Sequence, residues 1–159
     1  IEIGWIAVTV LWGLFMFFFM IAWHFIGQQN LSTETYRVQP HAYQARVEAF
    51  AERFQVGEEN GTPVVRPPAG EDVYMLARLW EWWPIFELQV GQSYRLHLAS
   101  VDWQHGFSLQ PANLNVQVLP GYDMVLTVTP NKTGTYSIVC NEYCGIGHHM
   151  MLGKIHVVE

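Results

Sequence analysis

Cys140 to Met151 reads C-N-E-Y-C-G-I-G-H-H-M-M, and this stretch holds both cysteines of the 159-residue chain, two histidines and two methionines. Thiolates, imidazoles and thioethers are the side chains that hold soft and borderline metal ions. Three kinds of chemistry compete for Cys140 and Cys144. A disulfide between them closes a very short loop, constrains the unfolded chain little and leaves the histidines and methionines without a role. Structural zinc sites favour tighter C-x2-C pairs and gain nothing from a thioether. Copper suits all three donor types, and a mononuclear blue-copper site uses one Cys, two His and a weak axial Met. Here a second thiolate lies four residues after the first, so both sulfurs can bridge two copper ions. His148, four residues after Cys144, and Met151, three after His148, supply one imidazole and one thioether. The other imidazole must come from another strand. His105, in V-D-W-Q-H-G-F, is the candidate.

The elements that would position these donors are short and β-like. Val73–Leu79, Ser93–Ser100, Asn115–Leu119, Met124–Thr129, Thr135–Cys140 and Lys154–Val158 read as strands, separated by Pro120-Gly121, Pro130-Asn131 and Gly134. Strands of this length and spacing suggest a Greek-key sandwich. Upstream, Tyr43, Val47, Phe50, Ala51 and Phe54 recur at helical spacing, which predicts an amphipathic helix over Pro40–Phe54. Its apolar face is expected on the membrane surface, on a partner or on its own domain. Gly57–Glu71, G-E-E-N-G-T-P-V-V-R-P-P-A-G-E, reads as turn and linker chemistry.

Hydrophobic residues make up 50% of the chain and charged residues 14%, against roughly 25% charged in globular domains. The excess lies at the start. Ile3 to Ile26 contains no Asp, Glu, Lys or Arg. At about 1.5 Å rise per residue this run reaches roughly 36 Å, enough to cross a hydrocarbon core of about 30 Å. All eight Lys and Arg, and thirteen of the fourteen Asp and Glu, follow Gly27. That acidic balance argues against a nucleic-acid partner and suits a basic one. No C-x-x-C-H is present for covalent haem attachment. The expected division is a transmembrane helix over 1–27, a connecting segment with the amphipathic helix over 28–56, a linker over 57–72 and a β domain over 73–159.

The pattern His105…Cys140-x-Glu142-x-Cys144-x3-His148-x2-Met151 resembles the copper A signature of subunit II of the haem–copper oxidases. The likeness runs from Val73 to Glu159 and includes H-G-F, N-x-Q-V-L-P-G and G-T-Y-S-I-V-C. The resemblance implies an all-β, cupredoxin-like Greek-key sandwich behind one N-terminal transmembrane helix, holding a dinuclear copper centre. By the same likeness Cys140 and Cys144 would bridge, His105 and His148 would be terminal imidazoles, and Met151 and the Glu142 backbone carbonyl would be weak ligands. A single span resembles the B-type (ba-type) branch, with the copper domain on the periplasmic side of the inner membrane.

Cytochrome c would be the donor, and a haem of the catalytic subunit I the acceptor; oxygen reduction would belong to that subunit. L-W-E-W-W-P, Leu79 to Pro84, resembles the aromatic cluster where the electron arrives, which makes Trp80, Trp82, Trp83 and Trp103 candidates for electron uptake. Alternation would put Trp80 and Trp82 on one face and Trp83 on the other. The same subunit of a copper A nitric oxide reductase is an alternative reading. Nitrous oxide reductase needs a propeller domain for which there is no room. A copper-delivery protein is disfavoured by a buried thiolate pair. His97 and His156 read as structural, and His149 and Met150 as the register neighbours of His148 and Met151.

Overall fold

Apolar residues alternating along short runs fold here into two β-sheets that share one core. The structure is a computed structural model describing residues 2–27 and 34–159, which belong to two compact units. The first is helix α1 (Glu2–Ile26), apolar on every side and long enough to cross a membrane. Trp12, Phe15, Phe19 and Trp23 fall at spacings of three and four, so their rings meet along one side, with centroids 5.5, 5.8 and 5.7 Å apart.

In the second unit, one sheet has the order β1 (Glu34–Arg37), β10 (Tyr122–Val128), β7 (Tyr94–Ser100), β4 (Asp72–Arg78), β5 (Glu81–Trp83). The other has the order β2 (Gln55–Glu59), β3 (Thr62–Val65), β6 (Ile85–Gln89), β12 (Leu152–Val158), β11 (Gly134–Cys140), β8 (His105–Gln110), β9 (Leu114–Val118). Pairing is mixed: β4 with β7 and β6 with β12 are parallel, while β11 runs antiparallel to both β12 and β8. Val73, Met75, Leu96, Leu98 and Leu126 from the first sheet meet Phe86, Phe107, Leu109, Ile138 and Ile155 from the second in one buried cluster. This is the all-β, cupredoxin-like sandwich expected from the sequence.

One element differs from the sequence reading, and one open question about the helix is decided. The stretch read as a linker holds the β2–β3 hairpin. Asn60 and Gly61 both take positive φ, +51° and +84°, the geometry of a two-residue turn whose twist suits a hairpin. Val65 then buries its side chain in the core, and Glu58 and Glu59 lie on an edge strand that tolerates charge. Helix α2 (Pro40–Phe54) has the expected bounds, with Pro40 in its first turn. Its apolar stripe is covered by its own domain: Tyr43, Val47, Phe50 and Ala51 are buried, and the Tyr43 hydroxyl donates to the Met75 carbonyl of β4 at 3.1 Å.

His97 and His156 take structural roles. His97 Nδ1 lies 2.7 Å from Asp123 Oδ2, both residues being buried, with the Tyr74 ring 4.6 Å away. His156 Nε2 lies 3.0 Å from Glu59 Oε2, linking β12 to the β2–β3 hairpin. Phe50 joins the helix to both sheets through Tyr74 and Phe86. Phe50→Ala is therefore expected to lower stability by about 3–5 kcal/mol, read as a lower urea midpoint with an unchanged slope.

Candidate metal centre

The ladder between β11 and β12 ends at Val139 opposite Leu152. Everything between, from Cys140 to Met151, is an arch over the end of the sandwich. Its feet are tied by the Cys140 amide donating to the Met151 carbonyl at 3.1 Å, and by the Asn141 amide donating to Gly106 of the neighbouring strand at 3.1 Å. Gly106 has no room for a side chain, since a Cβ there would lie 2.0 Å from Asn141 Oδ1. The arch closes in a 3-10 turn over His148–Met150, which turns His148 inward and leaves His149 and Met150 exposed.

Both cysteines are free thiols and both are buried. Their sulfurs lie 3.7 Å apart, well beyond the roughly 2.05 Å of a disulfide. Cys144 Sγ is 3.7 Å from His148 Nδ1 and 3.7 Å from Met151 Sδ. Cys140 Sγ is 3.3 Å from the Glu142 carbonyl oxygen. The Glu142 carboxylate points elsewhere and accepts from Gln117 Nε2 at 3.2 Å. A ring nitrogen of His105 lies within 4.8 Å of both sulfurs.

The residues fit a metal on one decisive observation. His105 is fully buried, its Nε2 lies 2.8 Å from Asp102 Oδ1, and its Nδ1 has no hydrogen-bond partner among the described residues. A buried nitrogen left unpaired is costly unless something else binds it. A cation held between Nδ1 and the two sulfurs removes that cost. Two sulfurs 3.7 Å apart also subtend a near-tetrahedral angle at an ion about 2.3 Å from each. Burial first, then the hydrogen bond and charge of Cys140, push the Cys144 thiol up to about 11. At neutral pH that thiol keeps its proton until a cation displaces it.

Asp102 organises the site and escaped the sequence reading. Its Oδ1 accepts from His105 Nε2, from Ser100 Oγ at 3.1 Å and from the Trp103 amide at 2.6 Å; its Oδ2 accepts from the Leu79 amide at 2.7 Å. Burial raises its pKa, but these hydrogen bonds outweigh it and hold the carboxyl below its ordinary value. Accepting from Nε2–H, the carboxylate leaves Nδ1 as the ligand atom. The only sequence signal was an acid three residues before the histidine in the same turn.

The four tryptophans separate. Strand β5 begins at Glu81, so the expected alternation does not extend back to Trp80. Trp80 sits in the preceding turn, 39% exposed, and its indole donates to the Cys144 carbonyl at 3.2 Å. It lies so close to the arch that a Cβ on Gly147 would meet the ring at 2.2 Å. Trp82 is buried, with centroids 6.1 Å from His105 and 5.3 Å from Phe107. Trp83 is half-buried beneath Arg78. Trp103 is 64% exposed beside the His105 turn.

No family model matches this chain. It is 35% identical to cytochrome c oxidase subunit 2 of Thermus thermophilus, over 99% of this chain and 92% of that protein. The chain belongs to the cytochrome c oxidase subunit 2 family. A chain of a haem–copper terminal oxidase dimer solved by cryo-electron microscopy matches it with a TM-score of 0.62 and 26% identity over 95% of both chains. The periplasmic domain of subunit II of the cytochrome oxidase of Bradyrhizobium japonicum shares the fold, with a TM-score of 0.52 and 23% identity over 58% of this chain and 87% of that one.

For this subunit 2 chain, Asp102→Ala leaves the His105 ring and the Leu79 and Trp103 amides without their acceptor, while Ser100 Oγ keeps the Trp103 carbonyl at 2.6 Å. It is expected to lower the stability of the metal-free protein by about 2–4 kcal/mol and metal affinity by about 10–100-fold. Asp102→Asn keeps an acceptor oxygen and should lose less of both, as measured by urea unfolding and competitive metal titration.

Proposed function

We propose that this chain is the electron-transfer subunit of a haem–copper oxidase and holds a dinuclear copper A centre. Cys140 and Cys144 are the bridging thiolates, and His105 and His148 bind through Nδ1. Met151 Sδ and the Glu142 carbonyl are the weak ligands. The observation that carries this reading is the convergence of two free thiols with a ring nitrogen of buried His105, whose Nδ1 is unpaired among the described residues. Soft sulfur and imidazole donors in this combination favour copper over zinc. When bound, copper supplies a site that takes up and releases one electron at a time.

The surrounding residues suit that task. Asp102 fixes the His105 ring, the arch fixes the two sulfurs, and burial of Cys140, Cys144, Met151 and His105 excludes water. Every donor comes from the protein, so the site favours electron transfer over bond chemistry. The proposed partners are a haem-bearing catalytic subunit I as acceptor and a cytochrome c as donor. Helix α1 is the proposed membrane anchor, within residues 1–27, in the manner of the one-span B-type branch. The β domain is then on the periplasmic side of the inner membrane.

Copper titration of the reduced, metal-free protein, with electron spin resonance, tests the centre. Uptake should stop at two copper ions per chain and give a purple, mixed-valence signal; one copper, or a preference for zinc, overturns the assignment. Binding displaces the Cys144 proton, so apparent affinity should rise with pH across the neutral range, by about tenfold per pH unit for each proton released. Oxygen against nitric oxide consumption by the native complex decides the terminal acceptor.

Electron uptake is assigned to Trp80, which is exposed on one side and bonded to the Cys144 carbonyl on the other; Trp103 is the second exposed candidate. The formal net charge of −6 favours encounter with a basic donor. Stopped-flow reduction by cytochrome c should show the bimolecular step slowing as salt rises. Trp80→Leu should slow transfer within the complex while copper content stays the same. Buried Trp82→Leu should act through stability instead. Wild-type transfer in both Trp80→Leu and Trp103→Leu would rule out the aromatic route.

A further inference from the structure

The run H-H-M-M places one imidazole and one thioether inside the arch and one of each outside. His148 and Met151 face the thiols, whereas His149 and Met150 are exposed, Met150 by 64%. No contact with the core requires soft donors at the two outer positions. They stand in the same short turn as His148, which is itself half-buried, with Nδ1 3.7 Å from Cys144 Sγ. The remaining surface of the arch offers no comparable donor: Tyr143 and Ile146 are exposed, and neither holds a soft cation. His105, Cys140, Cys144 and Met151 are all buried, so an ion delivered from outside cannot meet them first.

We propose that His149 and Met150 form a surface receiving site for Cu(I), from which copper passes by way of His148 to the buried thiols. This rests on the copper reading of Cys140 and Cys144 argued above. Imidazole and thioether are neutral soft donors that suit Cu(I), and the unbranched methionine side chain adapts to an incoming ion. Two donors at the surface hold copper less firmly than the convergent thiolates and imidazoles below, so transfer runs downhill. The step is ligand exchange without a change of oxidation state. Bonds from copper to the His149 nitrogen and the Met150 sulfur break as bonds to His148 Nδ1 and then Cys144 Sγ form, and the displaced thiol proton leaves to solvent. Capture in the same turn as His148 raises the local copper concentration at the buried donors.

The test follows loading of the full-length chain in detergent, metal-free and reduced, with Cu(I) supplied anaerobically as its acetonitrile complex. Copper–thiolate absorption in the ultraviolet gives the rate, and metal analysis gives the endpoint. His149→Ala/Met150→Leu should load about tenfold more slowly or worse and still reach the wild-type copper content. The exchanged variant His149→Met/Met150→His keeps both donors and should load at close to the wild-type rate. An unchanged rate in the deletion variant, or an exchanged variant as slow as the deletion, overturns the receiving site and leaves the copper centre standing. If Cys140→Ser/Cys144→Ser takes up as much copper as wild type, the copper reading of the thiols fails and the receiving site fails with it.

Discussion

Two buried thiols with sulfurs 3.7 Å apart have no reason of their own to stay there. They are too far apart to be bonded, and the contacts they make, Cys140 with the Glu142 carbonyl at 3.3 Å and Cys144 with His148 and Met151 at 3.7 Å, are weak. Their spacing is imposed from outside, by backbone. Cys140 is the last residue of β11, and its register opposite Phe107 is set by the whole β8–β11 ladder. Cys144 is four residues into an arch whose feet and closing turn are held by backbone hydrogen bonds, and the Trp80 indole adds a further hold through the Cys144 carbonyl. The glycines at 106 and 147 belong to the same constraint, because each lets a neighbouring segment approach closer than a Cβ allows.

Asp102 extends that constraint to the histidine. One carboxylate joins the turn before β5, the turn before β8 and the ring of His105. Such a hub is rigid because moving any one donor breaks the others' geometry, and a rigid donor set is what a one-electron site needs if little is to rearrange on each transfer. Asp123, buried where Asp102 is only half-buried, is paired with His97. That pair lies among α2, β4, β7 and β10, away from the sulfurs, and it fastens the sheet that the helix covers. Two carboxylate–imidazole pairs thus do different things, and the difference lies in what surrounds the ring. His105, its Nδ1 unpaired among the described residues, has a ring nitrogen within 4.8 Å of two thiols; in His97 the unpaired Nε2 lies 3.7 Å from Asp72.

The ligand cluster was legible in the sequence because its chemistry is contiguous: rare residue types crowd one stretch, and only His105 had to be brought from elsewhere. Strands β4, β7, β9, β10, β11 and β12 were legible because their apolar runs are bounded by Pro, Gly and Asn. Six strands went unread, among them β8, whose HGFSLQ lacks clear alternation, and several of the others are short or carry charge. β2 holds Glu58 and Glu59, β5 has three residues, and β1 is exposed throughout; pairing partners, not their own composition, make them strands. The amphipathic helix was plain, but what covers its apolar face is a tertiary fact. Asp102 went unread because its role lies in hydrogen bonds that spacing does not reveal, one of them from Leu79, 23 residues away. Trp80 was misplaced relative to Trp82 because alternation says nothing about where a strand begins.

The surface over the arch carries a last physical consequence. Trp80, Trp103, Tyr143, Ile146 and Met150 are all exposed there, and none bears a charge. Exposed apolar side chains gathered in one place favour a covering partner, and a contact made mainly of uncharged groups strips few water molecules from ions as it forms. Apart from Glu142 in the arch, Glu81 beside Trp80 and Asp102 beside Trp103, the acidic groups that would attract a basic donor from a distance lie elsewhere, several of them paired with arginines, as Glu87 is with Arg66 and Asp72 with Arg95. Attraction and contact are thereby separated. Long-range charge governs how often a donor arrives, whereas the small apolar rim governs how long it stays. A carrier that must bind, deliver one electron and leave is served by that separation, because a faster arrival is gained without the slow departure that buried ion pairs would impose.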